Sequence, residues 1–159
     1  MELLSWVRVA ALGGLGLLGA AWAADAPETA AGMVKTLKGV AHVERGGQRL
    51  PISVGTVVHP RDRLVSGPDT TVGLTLRDDT RLTLGPNSSL DLAKFAFNST
   101  THQGELSATV KRGTLAVISG KVAKASPEAV QFNTATVTLG VRGTAFVIET
   151  EDEDDEVAP

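Results

Sequence analysis

Alternation constrains this chain more than any other feature. Between about Leu37 and Ile148, apolar residues recur at every second position in short runs, and each run ends in a turn cluster. Val72, Leu74 and Leu76 alternate with Gly73, Thr75 and Arg77; Asp78-Asp79 turns; Leu82 and Leu84 alternate again; Gly85-Pro86-Asn87 turns before Leu90 and Leu92. A period of two puts every second side chain on one face of a pleated strand, so this stretch predicts three half-buried strands joined by tight turns. Upstream, Leu37, Gly39, Ala41 and Val43 are expected to share one strand face, and Arg45-Gly46-Gly47-Gln48 to send the chain back through Leu50 and Ile52. Pro60-Arg61-Asp62 and Ser66-Gly67-Pro68-Asp69 flank a short Leu64-Val65 strand. Downstream come Leu106, Ala108 and Val110, an expected turn at Lys111-Arg112-Gly113, then Leu115 and Val117. Ser119-Gly120 and a loose Ala125-Ser126-Pro127 connection lead to Val130 and Phe132, then to Val137, Leu139 and Val141. Phe95 and Phe97 are expected to cap the core. Past the N-terminal leader, no window carries an apolar stripe at three-and-four spacing. The expectation is therefore an all-β fold: a single domain of short antiparallel strands and hairpins, built as a β-sandwich or as a short β-solenoid or roll.

The ends of the chain read differently. Arg8 precedes an apolar run from Val9 to Ala23, and Ala21-Trp22-Ala23 offers small residues where a signal peptidase reads them. Residues 1–23 are expected to be a cleaved signal peptide, giving a periplasmic or secreted mature form that does not span the membrane. Residues 24–32 read as a linker, 33–148 as the β domain and 149–159 as an acidic, disordered tail. Seven of the 18 acidic residues fall in that tail, which carries −7, while Ala24 to Ile148 carries +4; the whole-chain value of −3 conceals the split. That net charge gives no case for nucleic acid. The absence of cysteine removes disulfides, thiolate metal sites and cysteine nucleophiles.

An ordered string of turn motifs carries a resemblance. Val54-Gly55, Asp62 and Ser66-Gly67 are followed by Leu74-Thr75-Leu76-Arg77-Asp78 and by Thr80-Arg81-Leu82-Thr83-Leu84-Gly85-Pro86-Asn87-Ser88. Then come Arg112-Gly113-Thr114-Leu115, Ser119-Gly120-Lys121-Val122 and Gly140-Val141-Arg142-Gly143-Thr144-Ala145-Phe146. From about Met33 to Ile148 the chain resembles the FecR domain family. That family usually has Asp-Gly where Asp78-Asp79 stands and Thr-Pro where Thr134-Ala135 stands. The resemblance implies an exported β-rich module whose relatives include inner-membrane regulators that read an outer-membrane transporter and control a sigma factor. Those regulators carry a cytoplasmic sigma-binding segment before their membrane helix, whereas only about eight residues precede the apolar run here.

The motif residues Asp62, Gly67, Gly85, Pro86, Asn87, Ser88, Gly113, Gly120, Arg142, Gly143 and Thr144 are expected to define the fold. Arg142 lies in an apolar strand run, where a guanidinium must leave the core or meet a carboxylate or several carbonyls, so an internal clamp is its expected role, with contact to a partner or ligand as the alternative. Arg61, Arg63, Arg77 and Arg81 read either as a solvated strand face or as a candidate basic patch for an acidic partner. No catalytic residue, metal site or cofactor is expected. His42, His59 and His102 lie far apart without ligand spacing, and Ser88-Ser89 has no glycine elbow or base. The expected function is a non-enzymatic, exported interaction or scaffold module contacting another envelope protein, with a part in envelope signalling. The alternative is a module binding a cell-wall glycan or exopolysaccharide. Scarce aromatics weigh against it, since both tryptophans, Trp6 and Trp22, sit in the leader.

Overall fold

The computed structural model describes residues 29–141 and 144–151. The expected signal peptide, residues 24–28 of the linker, Arg142-Gly143 and the acidic run from Asp152 lie outside the described residues. The described chain forms β1 (Gly32–Lys38), β2 (Ala41–Arg45), β3 (Gln48–Pro51), β4 (Val57–Val58), β5 (Arg63–Ser66) and β6 (Thr71–Leu76). It continues with β7 (Arg81–Leu84), β8 (Ser89–Phe97), β9 (Gly104–Ile118), the helix α1 (Lys121–Ala125), a 3-10 turn at Pro127–Ala129, β10 (Val130–Asn133), β11 (Thr138–Gly140) and β12 (Ala145–Thr150). The strands make one continuous sheet in the order β3-β2-β5-β8-β9-β7-β6-β1-β4, with β10, β11 and β12 branching from β9. The domain is all-β, and the choice between packed sheets and stacked hairpins resolves as a single sheet curled into a half-barrel.

β9 is the axle of that curl. Its N-terminal half pairs with β8 and β10, and its C-terminal half with β7 and β12. The sheet thus has a first limb, β4-β1-β6-β7-β9-β12, and a second limb, β3-β2-β5-β8-β9-β10-β11. Both limbs contribute to one core cluster: Val34, Val72, Leu74, Leu82 and Leu115 from the first, Val43, Leu64, Leu90, Leu106 and Phe132 from the second. Phase follows the sequence closely. From Asp62 to Leu92 every even-numbered residue is buried except Pro68 and Pro86 at the turn tips. In β9 the buried set moves from Leu106, Ala108 and Val110 to Leu115 and Val117, from even to odd numbers.

That phase change corrects one expectation. Lys111-Arg112-Gly113 is not a hairpin turn, because β9 runs through it as one strand of 15 residues. Gly113, at φ +83°, resets the pleat and bends the strand from one limb to the other. The opposite correction applies at Gly39. With φ +90° it ends β1, so Leu37 and Val43 belong to different limbs rather than to one strand face. The loose connection after Gly120 includes the short α1, too brief to leave a stripe in the sequence. β1 begins at Gly32, and Ala31 is fully buried beneath it. Phe95 and Phe97 are half-buried against the core, as expected.

Candidate functional site

Of the nine motif residues that are described, Asp62, Ser88 and Gly120 are buried, Gly67, Gly85 and Gly113 are half-buried, and Pro86, Asn87 and Thr144 are exposed. Four of the passages between limbs, at Gly39–Val40, Gly67–Thr70, Gly85–Ser88 and Gly113–Thr114, are corners that hydrogen bonds join in a row. The Thr70 hydroxyl accepts the Val40 N–H at 3.0 Å, and the Gly67 N–H donates to the Val40 carbonyl at 3.0 Å. Asn87 N–H donates to Gly67 O at 3.1 Å. Ser66 Oγ accepts the Ser88 N–H at 2.9 Å and donates to Gly85 O at 2.6 Å. Ser88 Oγ accepts the Thr114 N–H at 2.9 Å, while the Gly85 N–H donates to Thr114 O at 2.9 Å. Ser66, Thr70 and Ser88 are buried, so each hydroxyl satisfies backbone groups that water does not reach. Pro86 sits exposed at the turn tip, its carbonyl accepting the Ser88 hydroxyl at 3.1 Å.

Two carboxylates pin the far ends of the limbs. Asp62, 1% exposed, accepts Arg45 Nε at 2.7 Å, Arg45 Nη2 at 2.6 Å and the His59 N–H at 2.8 Å. Asp78, 0% exposed, accepts the Thr80 N–H and hydroxyl at 3.1 and 2.7 Å and the Val122 N–H at 3.3 Å. Gly120 donates to the Thr80 hydroxyl at 3.1 Å, and a Cβ there would overlap the Asp78 carbonyl, so the end of β9 is locked onto the β6–β7 hairpin. Asp79 adopts φ +67°, a left-handed conformation that glycine takes without strain. The Lys121 ammonium, 2.8 Å away, holds the Asp79 carboxyl below its ordinary range. Thr144 O accepts the Ser119 N–H at 2.8 Å, while Arg142 and Gly143 lie outside the described residues. Ser66, Thr70, Asp78 and Thr80 do not stand out as sites in the sequence. Their signal is phase, since each is a polar residue at a position the alternation turns inward.

Of the four arginines of the expected basic patch, Arg61 adjoins Arg63 in one groove and Arg77 in another, while Arg81 lines neither. Arg63 lies on β5 of the second limb and Arg81 on β7 of the first, opposite Thr75 and Ile118. Arg77 follows β6 and shares with Arg61 a groove that Lys94, Phe95, Phe97 and Glu105 also line. A charged surface lies on the outer face of the second limb, where Arg49, Glu44, Arg63 and Asp91 stand opposite one another across β3, β2, β5 and β8. Arg63 grips Asp91 with Nε at 2.5 Å and Nη2 at 3.1 Å, and its Nη1 lies 3.6 Å from Glu44. The Asp91 carboxylate holds the Arg63 guanidinium above its already high ordinary value, so it stays charged. One row on, Ser89 faces Arg112. Two adjoining grooves of about 580 and 520 Å³ share Glu44, Arg49 and Arg63; the first adds Arg61 and Asp91, the second Lys111 and Arg112. Among the described residues, five cationic side chains and two carboxylates line these two grooves. Arg49, Lys111 and Arg112 are not evident from the sequence because only strand register brings them beside Arg63.

His42, His59 and His102 stay dispersed, and among the described residues no three His, Asp or Glu side chains converge on a possible metal position. No helix among the described residues is long and apolar enough to cross a membrane. No curated protein matches the chain, and no solved structure does. A family model described as FecR protein matches residues 62–158. Its span opens on the buried Asp62 and takes in three of the four corners where the sheet folds, and over well more than half its length the chain belongs to the FecR protein family.

Proposed function

We propose that this protein is a non-enzymatic, exported interaction module of the cell envelope, which docks an acidic surface of another envelope protein on the outer face of its second limb. The family is a regulatory one, which supports a part in envelope signalling. Export rests on the leader pattern of residues 1–23. The observation that carries the docking role is the charge excess over two adjoining shallow grooves. A broad sheet face of this kind fits a macromolecular surface, and charges at such a rim govern encounter rate and partner choice more than raw affinity.

One observation favours the glycan alternative: Phe95 and Phe97 line the groove that Arg61 and Arg77 share. The Phe97 ring is already stacked on His102, with centroids 6.2 Å apart and planes 17° apart, so one of its faces is taken. The two readings separate by immobilising the protein and passing polyglutamate, as a stand-in for an acidic protein surface, and an uncharged glucan. The docking role predicts polyglutamate binding that weakens several-fold as salt rises toward about 0.15 M. Salt-insensitive retention of the glucan without polyglutamate binding would replace it with the glycan role.

A further inference from the structure

We infer that β12 is a self-association strand: two copies of this chain pair through its free edge, antiparallel and about a two-fold axis at Val147. β12 runs beside β9 with Ala145 opposite Ile118, Val147 opposite Ala116 and Glu149 opposite Thr114. The Ser119 N–H donates to Thr144 O at 2.8 Å, and bonding alternates along an antiparallel pair, so Phe146, Ile148 and Thr150 turn their backbone groups toward β9. Thr114 agrees with this phase, since its N–H and carbonyl are engaged by Ser88 and Gly85 on the other side of β9. Ala145, Val147 and Glu149 therefore point their N–H and C=O groups away from β9, and among the described residues no strand pairs with them. A groove of about 500 Å³, whose lining includes Val137, Leu139 and Val147, leaves room at this edge.

The other edges are guarded. β3 carries Arg49 and Pro51, β4 has two residues and β11 three. β12 has six, without a proline or a basic residue, and its Val147 is 66% exposed. A second copy fits because the strand is complementary to itself. Turned about Val147, it sets Val147 opposite the partner's Val147 and Ala145 opposite the partner's Glu149, so the outward N–H and C=O groups of all three residues find mates. Parallel pairing in register would instead set Glu149 against the partner's Glu149, a like-charge contact. The antiparallel arrangement brings the partner's Glu149 into the row of Arg81, Ile118 and Ala145, which holds no carboxylate, roughly 14 Å or three strand spacings from the strand of Arg81. Ala145, Val147 and Glu149 line neither of the two basic grooves, so the inference stands apart from the docking role.

The chain has no cysteine, so cysteines introduced one at a time report which positions meet. Residues that exchange bonds across an antiparallel pair stand ~5.5 Å apart at Cα, inside the span a disulfide bridges. Under mild oxidation of the full chain, Val147→Cys should cross-link to itself. Ala145→Cys and Glu149→Cys, mixed in equal amounts, should cross-link about tenfold more with each other than either does alone, because like positions lie roughly 14 Å apart along the strands. For the unmodified chain, sedimentation equilibrium should show the average mass rising toward twice the monomer value as concentration passes on the order of 10 µM, the weak regime of a small interface. Val147→Lys should move that midpoint upward by about tenfold or more, while the dilute protein melts where the parent does. A monomer at every concentration up to about 1 mM would overturn the inference. Self-cross-linking of Ala145→Cys as fast as that of Val147→Cys would overturn the antiparallel register, and a dimer that Val147→Lys leaves intact would overturn the assignment to β12.

Discussion

Asp78 is fully buried at the tip of the β6–β7 hairpin, and three of its partners are donors: the Thr80 N–H, the Thr80 hydroxyl and the Val122 N–H. Such a site needs a group that only accepts. Asp78→Asn keeps the shape but turns an amide NH₂ toward a hydroxyl or an N–H, so at least one buried bond is lost and one donor is stranded. Hydrogen bonds to charged groups contribute about 1.5–3 kcal/mol, so the expected loss is about 2 kcal/mol, read as a lower urea midpoint at unchanged slope. An unchanged midpoint would mean that water already satisfies this corner. The same logic separates Asp62 from the surface acids: it is matched in full by Arg45 and His59, whereas Glu44 meets its arginines at 3.6 Å in solvent.

At the scale of elements, β9 carries the architecture because one residue lets it serve both limbs. An alanine at Gly113 would hold φ +83°, and its Cβ would overlap the Ser88 hydroxyl and stand 2.7 Å from Ser88 Cα. Gly46 offers a control, with φ +56° and nothing within 4 Å of the place an alanine methyl would occupy. Gly46→Ala should cost about 1–2 kcal/mol, the left-handed penalty alone, and Gly113→Ala clearly more. Adding Ser88→Ala should not restore Gly113→Ala, since the backbone of residue 88 would still stand in the way. Equal losses at the two glycines would show that β9 relaxes freely at its bend. These strands are legible in the sequence because alternation reports which side chains turn inward, and the even phase from Asp62 to Leu92 needs no structure to be seen. Alternation is silent on which strand lies beside which. Hence Leu37 and Val43 read as one strand face although Gly39 parts them, and nothing in the sequence connects Arg49 and Arg112 to Arg63. The inward motif residues are legible as turns, but their joining into one row across four corners depends on contacts between positions up to 30 residues apart, such as Val40 with Thr70.

For the whole molecule, the family match and the folding unit differ in extent. The match begins at residue 62, yet β1 pairs with β6, β2 pairs with β5, and Ala31, Val34, Ala41, Val43, Ile52 and Val58 belong to the core. Full burial of a Val- or Ile-sized side chain stabilises by about 1.5–3 kcal/mol. Losing these side chains and two sheet edges removes an amount comparable to the ~5–15 kcal/mol that holds a domain together. A chain starting at Asp62 should accordingly show no cooperative thermal transition, and a sharp melt from it would mean that β1 to β4 are an accessory. With the fold intact, the central claim is that one face, and not net charge at large, receives an acidic partner. Its most direct measurement is polyglutamate affinity at low salt for two full-length variants of equal net charge. One carries Lys111→Glu and Arg112→Glu on the second limb, the other Arg77→Glu and Arg81→Glu away from its central grooves. The account predicts about a tenfold or greater loss for the first pair and less than about threefold for the second. Equal losses in both, or a larger loss for Arg77 and Arg81, would contradict it.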